Sequence, residues 1–208
     1  MNLAKIILMQ KDLDEVINKN HPIQKKEDRT AEKVTALVVE LAEFANEARF
    51  FKYWSEDQEP RTLVNTCEWC ISEGHDSCCG CSGELHEDLV LGEYVDSLHF
   101  FVSVALDKDW EKALYIPEER FIRIEEEGFP GGLTEAFNGA IYHLMKSQYE
   151  GNAKYKGEHY RSSESFFNEA WFLFMAIGLV AYGYSEEDIE DAYVKKNLVN
   201  HERQNTNY

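Results

Sequence analysis

The run Val39-Glu40-Leu41-Ala42-Glu43-Phe44-Ala45-Asn46-Glu47 sets acids at i, i+3 and i+7 in otherwise apolar surroundings. At about 100° per residue, Glu40, Glu43 and Glu47 share one helix face, opposite Val34, Leu37, Val38, Leu41 and Ala45. Glu93-Tyr94-Val95-Asp96 repeats the device: Glu93, Asp96 and Phe100 fall together, while Leu98, Phe101, Val102 and Ala105 cover another face. Carboxylates three apart on a helix lie about 5–6 Å from each other, so two such pairs facing across a bundle make a four-carboxylate pocket. Crowded carboxylates among apolar side chains are costly unless paired or bound to a cation. An all-oxygen donor set suits Mg2+ or Mn2+, hard ions that keep several waters and commonly bind through substrate phosphates.

Spacing alone carries little weight here. With 39 acids in 208 residues, acid pairs three apart arise by chance, and Glu118–Glu119 and Glu125–Glu127 read as solvated helix faces. What distinguishes the 40/43 and 93/96 pairs is the Val, Leu, Phe and Ala that flank them. A second polar pattern lies near the C-terminus, where Tyr193, Lys196, Asn197, Asn200 and Arg203 recur every three or four residues on one helix face. Lys and Arg suit the last turn of a helix, but two asparagines are poor helix formers. Cations and amides together suit phosphate oxygens. Gln10 sits on the inward stripe of an N-terminal helix, where its amide needs a partner such as a base edge.

Formal charge bounds the partners. Lys and Arg number 21, leaving −18, which excludes nucleic acid or an anionic membrane as a partner held by bulk electrostatics. A polyanionic ligand needs a divalent cation between it and this surface. The N-terminal residues lack the apolar run of a signal peptide, and the longest apolar stretch, 170–183, falls short of the ~20 residues of a membrane span. A cytoplasmic protein without a membrane partner is expected.

The elements that must hold these residues read as helices. Period-3.6 stripes predict helices over 2–19, 30–53 and 86–109. Thr134 is expected to cap 135–149, Ser162 or Ser163 to start a helix reaching about Tyr182, and Ser185 with Asp188 to form a capping box opening 186–203. No hairpin signal interrupts them, so an all-α fold in a single domain, 1–208, is expected. Residues 56–85, rich in Glu, Cys, Gly and Ser, read as an irregular insertion.

Glu40-x-x-Glu43 and Glu93-x-x-Asp96, with Phe51-Lys52-Tyr53-Trp54 after the first pair and Ser97-Leu98-His99-Phe100 after the second, resemble the dimeric all-α dUTPases, within the wider all-α NTP pyrophosphatases that include MazG. Lys196-Asn197-x-x-Asn200-x-x-Arg203 is similar to that family's last motif, and Leu8-Met9-Gln10 to its first; the resemblance spans nearly the whole chain. It implies a helical bundle of the all-α NTP pyrophosphatase type. It also implies that Glu40, Glu43, Glu93 and Asp96 bind two or more Mg2+, and that Glu40 or Glu43 orients water for attack on the α-phosphorus of dUTP, and of dUDP as a second substrate. Lys52, Lys196, Asn197 and Arg203 would hold phosphate oxygens. Trp54 would pack on uracil, Gln10 and Asn200 would read its edge, and His99 would approach the deoxyribose. A homodimer is implied as well, in keeping with the aromatic-rich helix 166–184. A related enzyme acting on dCTP or a modified nucleotide shares these motifs, and a non-enzymatic zinc-binding interaction protein is the alternative of a different class.

The segment between the acid pairs is longer than the family's and holds all five cysteines. Cys67, Cys70, Cys78 and Cys81 have a spacing that could close a tetrahedral Zn2+ site and order the loop; free or redox-labile thiols are the alternative.

Overall fold

Five of the seven described helices begin where a side chain satisfies one of the first free amides. In a computed structural model, which describes residues 1–25, 27–62, 64–65, 86–149 and 162–206, Asn2 caps α1 (Leu3–Asn20), Asp28 caps α2 (Arg29–Ala48) and Asp88 caps α3 (Leu89–Asp107). After a single 3-10 turn at Glu111–Leu114 come α4 (Glu118–Glu127) and α5 (Gly132–Tyr149). Ser162 then caps α6 (Ser163–Ala176), and Ser185 with Asp188 forms the expected capping box of α7 (Glu186–Asn205). The fold is all-α. Its extended pairing, among the described residues, is one two-residue antiparallel ladder, Val64–Asn65 against His86–Glu87.

Three boundaries differ from the sequence expectation by three residues or more. Helix α2 stops at Ala48 rather than continuing to 53, because Arg49 takes a left-handed conformation (φ 62°). Its buried guanidinium donates to the Asp57 carbonyl, and Phe50 turns inward onto Phe137, ring centroids 5.4 Å apart. Helix α3 starts at Leu89, three residues late, where Asp88 can accept from the Leu91 amide at 2.8 Å. Helix α5 starts at Gly132, before Thr134. Positive φ at Gly131 and Gly132 (77° and 84°) lets the chain swing directly into the helix and leaves Thr134 inside its first turn.

Helix α3 is the centre of the bundle. Its sequence is apolar nearly all round, and Val90, Tyr94, Val95, Leu98, Phe101, Val102, Val104 and Ala105 are buried. Helix α2 packs along one side of it, α1 and α7 along another, while α5 and α6 pair with each other. Beyond Ala176 the last turn of α6 widens into a π-turn over Ile177–Ala181. There Gly178 lies so close to Tyr94 that a Cβ would collide with the ring. By length and mean hydropathy α3 and the 163–181 helix could cross a membrane; 61 % of the first and 50 % of the second is buried in the bundle. The aromatic-rich helix is likewise internal: Phe167, Trp171, Phe172 and Phe174 are buried within this chain, so its composition is explained without a partner. Cys67, Cys70, Cys78 and Cys81, with most of 56–85, lie outside the described residues.

Candidate active site

A cavity of about 450 Å3 opens between α1, α2, α3 and α7. Helix periodicity puts Glu40 on its wall from α2, and Asp96 and His99 from α3; Gln10 comes from α1, and Lys196, Asn200 and Arg203 from α7. The cavity therefore gathers motifs from both ends of the chain.

At one side, Glu40, Glu93 and Asp96 each offer an oxygen within 4.8 Å of the others. All three are partly buried, and the electrostatics show more negative charge than the one paired lysine offsets. Burial, then the charges of Asp96, Glu43 and Glu93, push the Glu40 carboxyl up to about 7. Glu93 and Asp96 are raised for the same first reason, Asp96 against the opposing pull of Lys196, whose ammonium pairs with it. Glu43 is exposed and stands outside this three-carboxylate group, yet its charge raises all three. Glu47, the third acid of the α2 row, is instead neutralised by Arg61 at 3.1 Å. Oxygen-only donors, close together and reluctant to ionise, fit a hard divalent cation.

The other side is a polar network closed almost entirely on itself. Gln10 is 3 % exposed. Its carbonyl oxygen accepts from the Tyr193 hydroxyl at 2.7 Å and faces His99 Nδ1 at 2.7 Å, while its nitrogen donates to Asp14 at 2.8 Å. Asp14 also accepts from Ser103 Oγ at 2.5 Å and Lys33 Nζ at 3.0 Å. The His99 ring stacks on Tyr193, centroids 4.0 Å apart. Burial, then the charge of Lys196, push His99 down to about 3 against a smaller opposing pull from the Tyr193 backbone, so the ring is neutral. Its Nε2 is buried and has no hydrogen-bond partner among the described residues, an arrangement that costs about 1–3 kcal/mol if left so.

Of the sequence-selected residues, Gln10, Glu40, Asp96, His99, Lys196, Asn200 and Arg203 line the cavity, and Glu93 joins through the carboxylate cluster. Four are not brought there, the first being Glu43, which is exposed and outside the three-carboxylate group. Lys52 donates to the carbonyl and side-chain oxygens of Asn46, and Trp54, expected on a continued α2, is 64 % exposed against Phe51 and Tyr53 because that helix ends at Ala48. Asn197 is buried on the α1 side of α7, its amide 3.4 Å from the Met9 carbonyl. Gln10 lines the wall, but its oxygen is already taken by two protein partners. Sequence reasoning missed Asp14, Ser103 and Lys33. A signal existed: Gln10/Asp14 on α1 and His99/Ser103 on α3 are polar pairs four apart, each within an inward apolar stripe.

A family model described as dUTPase matches residues 2–70 and 82–208, leaving 71–81, inside the cysteine-rich segment, unmatched. No curated protein matches the chain.

Proposed function

We propose, from the premise that this chain belongs to the all-α dUTPase family, that it is a divalent-metal-dependent enzyme releasing pyrophosphate from dUTP to leave dUMP. The family carries dUTP diphosphatase activity. The finer reading rests on one observation: three carboxylates, from α2 and α3, crowd together at the edge of the cavity with Lys196 paired to one of them and Arg203 on the same wall.

Glu40, Glu93 and Asp96 would hold Mg2+, with Mn2+ as a substitute. When bound, the ion neutralises phosphate charge and lowers the pKa of water. Glu43 stands outside the tight group but within electrostatic reach of it, a position that suits orienting a water and taking its proton. The water oxygen forms the new bond to the α-phosphorus, the bond to the bridging oxygen breaks, and pyrophosphate leaves. Lys196 and Arg203 would bind phosphate oxygens, Lys196 exchanging its pairing with Asp96 for the substrate. Asn200 lines the same wall, within reach of the nucleotide. dUDP carries the same α-phosphate and is proposed as a second substrate. A homodimer is proposed on the family resemblance.

Pyrophosphate release from a panel of deoxynucleoside triphosphates, with and without Mg2+, tests this reading. dUTP turnover that requires the metal is expected. Equal turnover of dTTP and dCTP would refute the uracil preference, and no turnover of any triphosphate would refute the enzyme.

A further inference from the structure

The network around Gln10 settles an atomic detail with a consequence for recognition. Asp14 receives three donors, from Ser103, Lys33 and Gln10. Lys33 is itself held by Asp107 at 2.8 Å. A carboxylate so surrounded only accepts, so the nitrogen of the Gln10 amide must face Asp14 and the oxygen must face away. That oxygen takes the Tyr193 hydroxyl on one lone pair, and the other lies 2.7 Å from His99 Nδ1. Two acceptors cannot share such a contact, so Nδ1 carries the proton. The ring being neutral, Nε2 carries a lone pair, and stacking on Tyr193 holds it in place. This is the buried nitrogen that no described residue satisfies, on a histidine that lines the cavity.

We propose that Asp14 is a positioning residue that, through Gln10, locks His99 as the Nδ1–H tautomer, so that Nε2 is a fixed hydrogen-bond acceptor selecting nucleosides that bring a donor to it. Naming the ligand as a nucleotide rests on the dUTPase reading; the tautomer does not. Two groups of dUTP are donors of the required kind, the 3′-hydroxyl of the sugar and the N3–H of uracil. Cytosine offers a lone pair at N3 and would meet Nε2 with repulsion. Gln10 on this view orients a recognition group and does not read the base itself.

The test begins with the nucleotide-free wild-type protein. Its 15N spectrum should show His99 with a protonated Nδ1 and an unprotonated Nε2; a protonated Nε2 would overturn the proposal whatever the enzyme hydrolyses. In Asp14→Asn the amide of Gln10 is free to turn over, so the two tautomers should mix. Ser103→Ala, the milder change should Asp14→Asn fold poorly, should shift the spectrum in the same direction by less. Kinetics identify the donor: of 2′,3′-dideoxyuridine triphosphate and N3-methyl-dUTP, the analogue lacking the group that Nε2 accepts should lose at least about 10-fold in kcat/KM on the wild type. That penalty should shrink in Asp14→Asn. Equal penalties in wild type and variant, or a tautomer unmoved by either substitution, would refute the role of Asp14. Failure of the triphosphate panel with the expected His99 spectrum intact would instead refute the dUTPase reading.

Discussion

Two clusters of polar side chains face one cavity, and they are built on opposite terms. Glu40, Glu93 and Asp96 bring like charges together from two helices, with Lys196 as the cation paired among them, and all three carboxyls resist ionisation. Asp14, Gln10, His99, Ser103 and Tyr193 spend nearly every donor and acceptor on one another, and one nitrogen is left over. The first cluster sacrifices stability that a bound cation can return. The second supports the fold and presents a rigid, neutral surface. The contrast separates the part of a site that must wait for a charge from the part that must hold a shape.

Breaking the first cluster should cost activity without costing stability. Glu40→Gln or Asp96→Asn is expected to lower turnover of dUTP by about 100-fold or more. The melting temperature of metal-free Glu40→Gln should hold steady or rise, since a repelling charge is gone, whereas Asp96→Asn also gives up the Lys196 pair. Loss of turnover together with unfolding would place these acids among the structural residues. The same cluster should respond to Mg2+ in the absence of nucleotide. At about 100 times its Kd, an ion bound only by the folded state adds about 2.7 kcal/mol, seen as a rise in melting temperature that Glu93→Gln reduces. An unchanged melting curve would remove the cation site.

The second cluster should behave in the opposite way. Asp14→Ala leaves Lys33 and Gln10 without their shared acceptor and should destabilise the protein by about 2 kcal/mol in urea unfolding, below the range for a fully buried pair because the group is partly solvated. A neutral or stabilising result would erase the distinction between the clusters.

The pH dependence sharpens the comparison with the smallest signal. Glu40 holds its proton more tightly in the folded state (about 7) than in the unfolded chain (4.5), so its contribution to stability is lost as pH rises across that window. His99 is lowered from 6.5 to about 3, so its contribution is lost as pH falls below 6.5. Melting temperatures of metal-free wild type and Glu40→Gln should diverge in favour of the variant between pH 5 and pH 8. Parallel curves would show that Glu40 is not under electrostatic pressure.

Legibility in the sequence tracked how local the cause was. The capping box of Ser185 and Asp188, the buried faces of α2 and α3, and the three-residue spacing of Glu40 with Glu43 and of Glu93 with Asp96 depend on neighbours within a turn or two of helix, and each is readable from the sequence. The end of α2 is not legible because the helix stops for a reason outside it, the anchoring of Arg49 on the Asp57 carbonyl and of Phe50 on Phe137. Asn197 looked like part of one polar stripe with Asn200, yet α1 packs on α7 and claims it. Asp14 passed unremarked since its partners, Ser103 and Lys33, lie on two other helices.

Composition and periodicity alone determined that this chain is a helical bundle, which faces of its helices are buried, and that carboxylates stand at metal-binding spacing. Those properties follow from side-chain period and burial, which act along one segment at a time. Only the tertiary structure decided which polar groups meet. Glu43 and Glu40 are equivalent in sequence, but packing leaves one exposed and presses the other against Asp96 and Glu93. Gln10 could have faced a ligand, and the approach of α3 and α7 turned it toward His99 and Tyr193 instead. Contacts between helices distant in sequence set the dielectric and the partners of each group, and those set its charge and its proton.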